Sequence, residues 1–211
     1  MTASRRLLSV AALLVLFLYA SVTTDAARRE EPAPPTKDSL TGQLLVATPD
    51  LDDPNFRETV VYIVHHDQGG AMGLVLNRVL GTGPLDKMLE SLGARPNGAS
   101  DLKLRVYSGG PVEPARAFVL HSPDYHDADT VALSDIAALT IPPHILEEIA
   151  AGKGPKRSLF ALGYAGWGPN QLEGELAAGA WSVVKPDEDL LFDDQSETKW
   201  QRAWDRRGID L

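Results

Sequence analysis

Two histidines and two aspartates lie within the seven residues from His121 to Asp127. Imidazole and carboxylate groups at this density could bind a metal ion or transfer a proton. Their spacing is not that of an established metal motif, and the segment has the composition of a strand end followed by a polar turn. We therefore expect His121 to end a strand and the acids to face solvent from a loop, with no metal and no cofactor bound.

The segment from His65 to Asp67 could supply a general base, but it spans the end of an apolar run and the start of a turn, where such residues have structural uses. No nucleophile accompanies it, because the chain has no cysteine and no G-x-S-x-G motif. The Gly109-Gly110-Pro111 sequence lacks the lysine and hydroxyl residue of a phosphate loop. These motifs therefore assign no reaction to the protein.

Asn77, Arg78 and Arg116 are polar or cationic residues at predicted strand ends of an acidic chain. Guanidinium groups in such positions could bind an anion. The alternative is that they form ion pairs within the protein, as Arg116 could with the nearby Glu113. The sequence leaves both possibilities open.

The segment LGYAGWGPNQLEGELAAGAW, from Leu162 to Trp181, predicts a buried strand that passes through closely spaced glycines into a helix. Glycine tolerates backbone conformations and close approaches that other residues exclude, and proline suits the first turn of a helix. We therefore expect Pro169 to begin the helix. We also expect the recess at Gly163, Gly166 and Gly168 to admit a ligand or partner.

Trp167, Gln171, Glu173 and Glu175 surround this junction and could form the polar and aromatic side of a recognition site. Trp167 has an alternative role, because large aromatic residues more often close a hydrophobic core. If His121 lay in the same cleft as Glu173, the two side chains could also act as an acid and a base. Their separation in the folded chain therefore decides between a binding site and a catalytic one.

Short apolar runs rich in Val, Ile and Leu, bounded by Pro, Asp and Gly, predict buried strands. These runs are residues 43–48, 59–65, 72–77, 102–106, 116–121, 157–164 and 181–184. The Asp67-Gln68-Gly69-Gly70 sequence predicts a hairpin between the second and third strands. Residues 130–139 fit either a pair of short strands or a helix, and we favour strands.

Apolar residues that recur every three or four positions predict amphipathic helices at residues 84–92, 142–151 and 198–207. A further helix follows the glycine junction, which makes about four short helices. Because the strands outnumber the helices and do not alternate regularly with them, the fold class is α+β rather than a doubly wound parallel sheet. We expect a single compact domain.

The first 26 residues have the three parts of an export signal: Arg5 and Arg6, an apolar run from Leu7 to Val22, and small residues ending at Ala26. We expect cleavage after Ala26 and a periplasmic or secreted protein. The alternative is an uncleaved anchor in the inner membrane. Residues 27–39 then form a charged, proline-rich linker, and residues 40–211 form the domain.

The chain is acidic, with 29 Asp and Glu residues against 20 Lys and Arg residues and a formal net charge of -9. Because this charge repels phosphate, we do not expect nucleic acid as a partner. We expect contact with a membrane only through an uncleaved leader. With no cysteine in the chain, no disulfide can form, and the hydrophobic core alone must stabilise the domain.

Four segments, taken in order, resemble the AlgH/YqgE family: GQLLVATPDLDDPNFRETVVYIVHH from Gly42, GGAMGLVLNR from Gly69, YSGGPVEPARAFVLHS from Tyr107 and the glycine junction from Leu162. The resemblance implies a compact α+β domain whose strand-rich sheet is bent into a barrel-like core. The family name also implies a link to the regulation of alginate production and to transcription. Members of the family look cytoplasmic and typically lack an export leader, so the N-terminus of this chain departs from the family.

From these observations we predict a non-catalytic binding or regulatory module that recognises a small molecule or a protein. A hydrolase or transferase that uses His121 and Glu173 is one alternative, and a transcriptional regulator is another. The candidate surface combines the residues discussed above with positions shared by the family: Asn77, Arg78, Gly109, Gly110, Arg116, His121, Gly166, Trp167, Gln171 and Glu173.

Overall fold

The structure is a computed structural model that describes residues 39–94 and 101–208. The predicted leader and most of the predicted linker lie outside the described residues, so both stay predictions. The strands of the described chain are β1 Leu44–Ala47, β2 Val60–Asp67, β3 Gly70–Val75, β4 Val79–Pro84, β5 Lys103–Ser108, β6 Val112–His121, β7 Thr130–Ser134, β8 Ala137–Thr140, β9 Ser158–Trp167 and β10 Trp181–Val184. The helices are α1 Leu85–Ser91, α2 His144–Ala150, α3 Gln171–Ala177, α4 Glu188–Phe192 and α5 Ser196–Asp205.

The first three strands form where the sequence has continuous apolar runs. All of β1 and the first five residues of β2 are buried, as expected for strands covered on both faces. The predicted hairpin joins β2 to β3, with Asp67 paired to Gly70. A bulge between Ile63 and His65 interrupts the register of β2 and bends it.

The strands form a curled sheet in the order β10-β1-β2-β3-β9-β6-β8-β7. β9 lies near its centre, with β6 antiparallel along one edge and with β3 and the parallel strand β5 along the other. β4 pairs with β5. The curl brings the Tyr62 hydroxyl of β2 within 3.1 Å of the Ser134 hydroxyl of β7, although several strands separate them in the sheet. The predicted α+β class and bent sheet are confirmed.

Three hydrophobic clusters hold the helices against this sheet. The largest contains Tyr62 and Phe118, and the tryptophans of α5 pack on it. A second contains Leu172 of α3, and a third joins Leu89 of α1 to Leu146 of α2. Four of the five described helices confirm predicted ones, and α4 is additional. None of the described helices is both long and apolar enough to span a membrane.

Two local predictions differ from the structure. β4 was not predicted, because its sequence VLGTGP combines two glycines with a proline, and these residues weaken strand propensity. Pro169 does not begin a helix: α3 starts at Gln171, after Asn170 in a left-handed conformation with φ of 61°. The ambiguous residues 130–139 form the strands β7 and β8, as favoured.

Candidate functional site

His121 ends β6 as predicted, but it is fully buried and cannot contact an external ligand. Its Nδ1 lies 2.8 Å from the Ser122 carbonyl oxygen, and its Nε2 lies 2.9 Å from the Thr140 hydroxyl. Burial lowers the pKa of this imidazole and so favours the neutral ring. Nδ1 then donates to the carbonyl and Nε2 accepts from Thr140. This corrects the placement of His121 on the candidate surface.

The acids that follow His121 form hydrogen bonds within their own loop. Asp124 accepts from the Ser122 hydroxyl at 2.5 Å, and Asp127 accepts from the Tyr125 hydroxyl at 2.9 Å. Across residues 39–94 and 101–208, no group of three or more His, Cys, Asp or Glu side chains is arranged to hold a metal ion. The polar density of this segment therefore has a structural use.

Glu175 of α3 is the hydrogen-bond acceptor around which the glycine junction is organised. Its Oε2 accepts from the Trp167 indole at 2.9 Å and from the Trp181 indole at 2.8 Å, and its Oε1 accepts from Gln171 at 2.9 Å. Trp167 and Trp181 are only 7% and 5% exposed, and both pack against Phe56. Trp167 thus closes a core, which was the alternative to a ligand contact.

Glu173 contacts a histidine on the hairpin between β2 and β3. His66 Nε2 lies 2.8 Å from Glu173 Oε1, while His66 Nδ1 accepts the Leu40 N–H at 3.0 Å. Because Nδ1 accepts, Nε2 carries the proton that is donated to the carboxylate. A bond from its own backbone N–H, followed by the bond from His66, lowers the pKa of Glu173. The pair connects α3 and Leu40 to β2.

His121 and Glu173 lie toward opposite ends of β9. His121 pairs with Ser158, the first residue of β9, whereas α3 and Glu173 follow Trp167, its last residue. The ten residues of β9 span about 30 Å at roughly 3.3 Å per residue. The two side chains also have separate hydrogen-bond partners. The hypothesis that they act together as an acid and a base is therefore wrong.

Of the three glycines expected to leave a recess, only Gly163 packs tightly against the protein's own backbone, together with Gly109 and Gly110 of the candidate surface. A Cβ on Gly110 would lie 2.1 Å from the Tyr164 carbonyl carbon, and one on Gly109 would lie 2.2 Å from the Gly163 oxygen. A Cβ on Gly163 would lie 2.5 Å from the Gly110 oxygen. At Gly166 the nearest atom is an ordinary 3.4 Å away. The close approaches at Gly109, Gly110 and Gly163 thus bring β9 against the segment before β6, which corrects the expectation of space for a ligand at Gly163. At Gly168 the nearest atom would lie 3.9 Å away, so the space expected there stays a prediction.

Arg116 forms the internal ion pair that the sequence left as a possibility. Its guanidinium lies 3.2 Å from the Glu113 carboxylate and 5.3 Å from the centroid of the Phe118 ring. Both partners of the ion pair are about half exposed, with side-chain exposures of 47% and 52%, so the pair stabilises the fold only weakly.

Asn77 and Arg78 both contact backbone groups near the start of β2. Asn77 accepts the Val60 N–H at 3.0 Å and donates to the Glu58 carbonyl at 2.8 Å. Arg78 donates to the Arg57 carbonyl at 2.5 Å. Among the described residues Arg78 has no carboxylate partner, so its remaining donors are available to a ligand.

Arg78 lines a cleft of about 1010 Å³ that sequence reasoning did not identify. One side is formed by the β4–β5 ribbon, including Val79 and Leu80, which are 44% and 63% exposed. The other side is formed by the start of α5 and the residues before it. Arg105 of β5 reaches across to Asp194, with its guanidinium 2.9 Å from the carboxylate. Of the ten predicted site residues, Asn77 and Arg78 line this cleft.

Lys199 fixes the α5 side of the cleft, although it is fully buried. Its Nζ donates to the Leu190 carbonyl at 2.6 Å and lies 3.2 Å from the Asp193 carboxylate. Burial lowers the pKa of Lys199, while the Asp193 charge opposes that shift. A lysine in an amphipathic helix is ordinarily assigned to the solvent face, so the sequence carried no signal for this role.

Known proteins resemble this chain over most of the domain. The AlgH-like family model matches residues 44–211. A UPF0301 protein of Methylococcus capsulatus is 42% identical over 170 residues, which cover 81% of this chain and 92% of that protein. A UPF0301 protein of Rhodospirillum rubrum is 44% identical over 171 residues, which cover 81% of this chain and 88% of that protein.

Solved structures share the fold. The solution structure of the AlgH protein from Pseudomonas aeruginosa matches with a TM-score of 0.69 at 39% identity, covering 84% of this chain and 94% of that one. A crystal structure of a protein from Corynebacterium diphtheriae matches with a TM-score of 0.65, covering 84% of this chain and 92% of that one. Its sequence identity is 17%, so this second likeness concerns the fold alone.

Proposed function

This chain belongs to the AlgH-like family, and we propose that it is a non-catalytic module that binds a small molecule or a protein segment in the cleft beside Arg78. The cleft itself is the observation that carries the proposal. Its volume of about 1010 Å³ lies at the upper end of the range for ligand sites, roughly 300–1,000 Å³.

The lining of the cleft supports binding because it combines exposed apolar groups with a few polar ones. Val79 and Leu80 offer apolar surface that no other described residue covers, while Arg78 offers guanidinium donors. Asn55 and Ser108 add neutral polar groups. Ligand sites commonly have this composition, in which apolar contacts supply affinity and a few polar groups set orientation.

The chemistry of the lining residues supports a role without catalysis. None of the described residues that line the cleft is His, Cys or Lys. The carboxylate of Asp194 is paired with Arg105 at 2.9 Å, and the hydroxyls of Ser108 and Thr82 have no histidine beside them in the lining to activate them. His121 is buried elsewhere, and Glu173 is bonded to His66. The net charge of -9 likewise favours a protein or small-molecule partner over nucleic acid.

Nuclear magnetic resonance with a fragment library tests the binding proposal. We expect the backbone signals of Val79, Leu80 and Thr82 to shift on addition of some fragments, and the shifts to disappear in Leu80→Asp. Val131→Asp is the matched control, because Val131 is another exposed apolar strand residue, with 47% exposure, and does not line the cleft. Fragments that shift other regions of the protein, or that bind Leu80→Asp equally well, would contradict the proposal.

We also propose that the protein is exported, on the basis of the charged, apolar and small-residue parts of its first 26 residues. Fractionation of cells that express the whole chain, followed by N-terminal sequencing, tests this. A mature terminus near Ala27 outside the cytoplasm is the expected result. Recovery of an intact Met1 in the cytosol would contradict it.

A further inference from the structure

In the part of the chain that the structure describes, the edge of β4 that faces away from β5, beside the cleft, has no partner strand. Within the described residues the single strand partner of β4 is β5. Just after the end of β4, the Leu85 N–H donates to the carbonyl of Leu102, the residue before β5. The backbone groups of Leu85 therefore face β5. Because inward and outward positions alternate along antiparallel strands, Thr82, three residues earlier, directs its N–H and C=O away from β5. These groups are therefore placed to bond an added strand.

The edge lacks most of the features that protect exposed strands from pairing. VLGTGP contains no charged residue, and Leu80 is 63% exposed. A Cβ on Gly81 would meet no atom within 4 Å, so the space around this residue is open. Pro84 and the bulge between Val79 and Gly81 limit the free stretch to a few residues. The edge thus suits a short segment better than a long strand.

Two cations without a carboxylate partner in the described chain lie near the two ends of this edge. Arg78 precedes β4, and within the described residues its guanidinium donates to the Arg57 carbonyl. Lys103 is exposed and pairs in register with Pro84, the last residue of β4. From Arg78 to Pro84 the strand extends about 20 Å at roughly 3.3 Å per residue. An extended segment with a carboxylate near each end would complement the charges of these two cations.

The middle of the edge favours uncharged residues. Leu80 and Thr82 bear no charge, and Arg105 is already paired with Asp194 at 2.9 Å. Glu197, on the other side of the cleft, disfavours a further carboxylate there. A complementary segment is therefore apolar or neutral in its centre.

We propose that β4 binds an extended segment of a partner protein by strand addition, about six residues long, with an apolar centre and an acidic residue near each end. The proposal rests on the binding function proposed for the cleft and specifies the occupant. Main-chain bonds to β4 supply affinity, while Leu80 and the two cations select the side chains.

Selection from a displayed library of random linear peptides tests the proposal on the whole protein as recovered from expressing cells. We expect peptides with the described pattern to be enriched on the wild type and on Val131→Asp, but not on Leu80→Asp. A synthetic copy of an enriched peptide should lose at least about tenfold in affinity when alternate backbone nitrogens are methylated, since the bonds to β4 are lost. Arg78→Gln should reduce its affinity, whereas Arg116→Gln should not.

Enrichment of no sequence, or binding that withstands either Leu80→Asp or backbone methylation, would overturn strand addition. The fragment experiment separates this outcome from failure of the binding function. If fragments bind the cleft and no peptide does, strand addition falls and the binding module stands. If neither fragments nor peptides bind, both proposals fall.

Discussion

The glycine junction before α3 and the cleft beside β4 differ in how their polar groups are used. At the junction, Glu175 accepts hydrogen bonds from two tryptophans and a glutamine, and Glu173 accepts one from His66. At the cleft, Arg78 has no carboxylate partner in the described residues, and Leu80 is 63% exposed. The polar groups of the junction already have hydrogen-bond partners within the protein, whereas the cleft exposes donors and apolar surface that can still contact a ligand.

This difference has a general physical cause. A buried polar group is costly unless it is hydrogen-bonded, so a dense set of polar residues inside a fold usually consists of mutual partners. A binding surface instead keeps apolar area and donors exposed before its ligand arrives. The dense group of tryptophan, glycine and acidic residues in the sequence therefore marked a structural region of this protein. Its candidate site is formed by common residue types that do not stand out in the sequence.

The largest predicted effect concerns the glycines near the junction. Gly110→Ala should lower the free energy of unfolding by more than about 4 kcal/mol, because its Cβ would lie 2.1 Å from the Tyr164 backbone and its φ of 151° disfavours other residues. Gly174→Ala is the control, since nothing lies within 4 Å of its Cβ. In α3 it should stabilise the protein by about 0.5–1 kcal/mol. Denaturant unfolding measures the stability of both variants. If Gly110→Ala were as stable as Gly174→Ala, the packing argument would be wrong.

A smaller effect is expected at Glu175. Glu175→Ala should lower the free energy of unfolding by about 2–4 kcal/mol, because two nearly buried indole N–H groups lose their acceptor. Glu175→Gln keeps an acceptor oxygen and should lose about 1 kcal/mol or less. Unfolding followed by tryptophan fluorescence compares the variants. If Glu175→Ala were as stable as Glu175→Gln, the carboxylate would not organise the junction.

Much of the sheet could be predicted because its central strands are recognisable from their local sequence. Residues Val60–Val64 are five consecutive buried apolar residues. β4 could not be predicted this way, because its glycines and proline disfavour a strand and pairing with β5 supplies the missing stabilisation. The five-residue helix α4 is too short for a periodic pattern to show.

The cleft could not be predicted because it is assembled from segments far apart in the sequence. The segments lie around Asn55, Leu80, Arg105 and Ser196. No motif links them, and only the fold brings them together. The separation of His121 from Glu173 was equally hidden, since it depends on the length and pairing of β9. Residue types identified groups capable of chemistry, but topology decided which of them meet.

A pH experiment distinguishes the buried polar network at His121 from the open cleft. Burial holds the pKa of His121 below its ordinary 6.5, so the folded state resists protonation. Stability from this group is complete above about pH 6.5 and is lost as the pH falls through the lower folded pKa. His121→Asn should lower stability by about 1–2 kcal/mol at neutral pH and flatten this acid dependence.

Denaturant unfolding at a series of pH values measures this dependence. The lowered pKa values of Asp124 and Asp127 act in a different window, below their ordinary 3.8. Comparison of wild type with His121→Asn between pH 6.5 and 4.5 therefore isolates the histidine. Parallel curves for the two proteins over that range would contradict the assignment.

The smallest expected effect on stability is at Leu80 in the cleft. Leu80→Ala should change the free energy of unfolding by no more than about 0.5 kcal/mol, because the side chain is 63% exposed. The same truncation at Leu89, which is fully buried in α1, should lower it by about 2–5 kcal/mol. Denaturant unfolding compares the two leucines. A loss of stability at Leu80 as large as that at Leu89 would mean that the Leu80 surface stabilises the fold. The contrast between the junction, whose polar groups are hydrogen-bonded within the protein, and the open cleft would then be wrong.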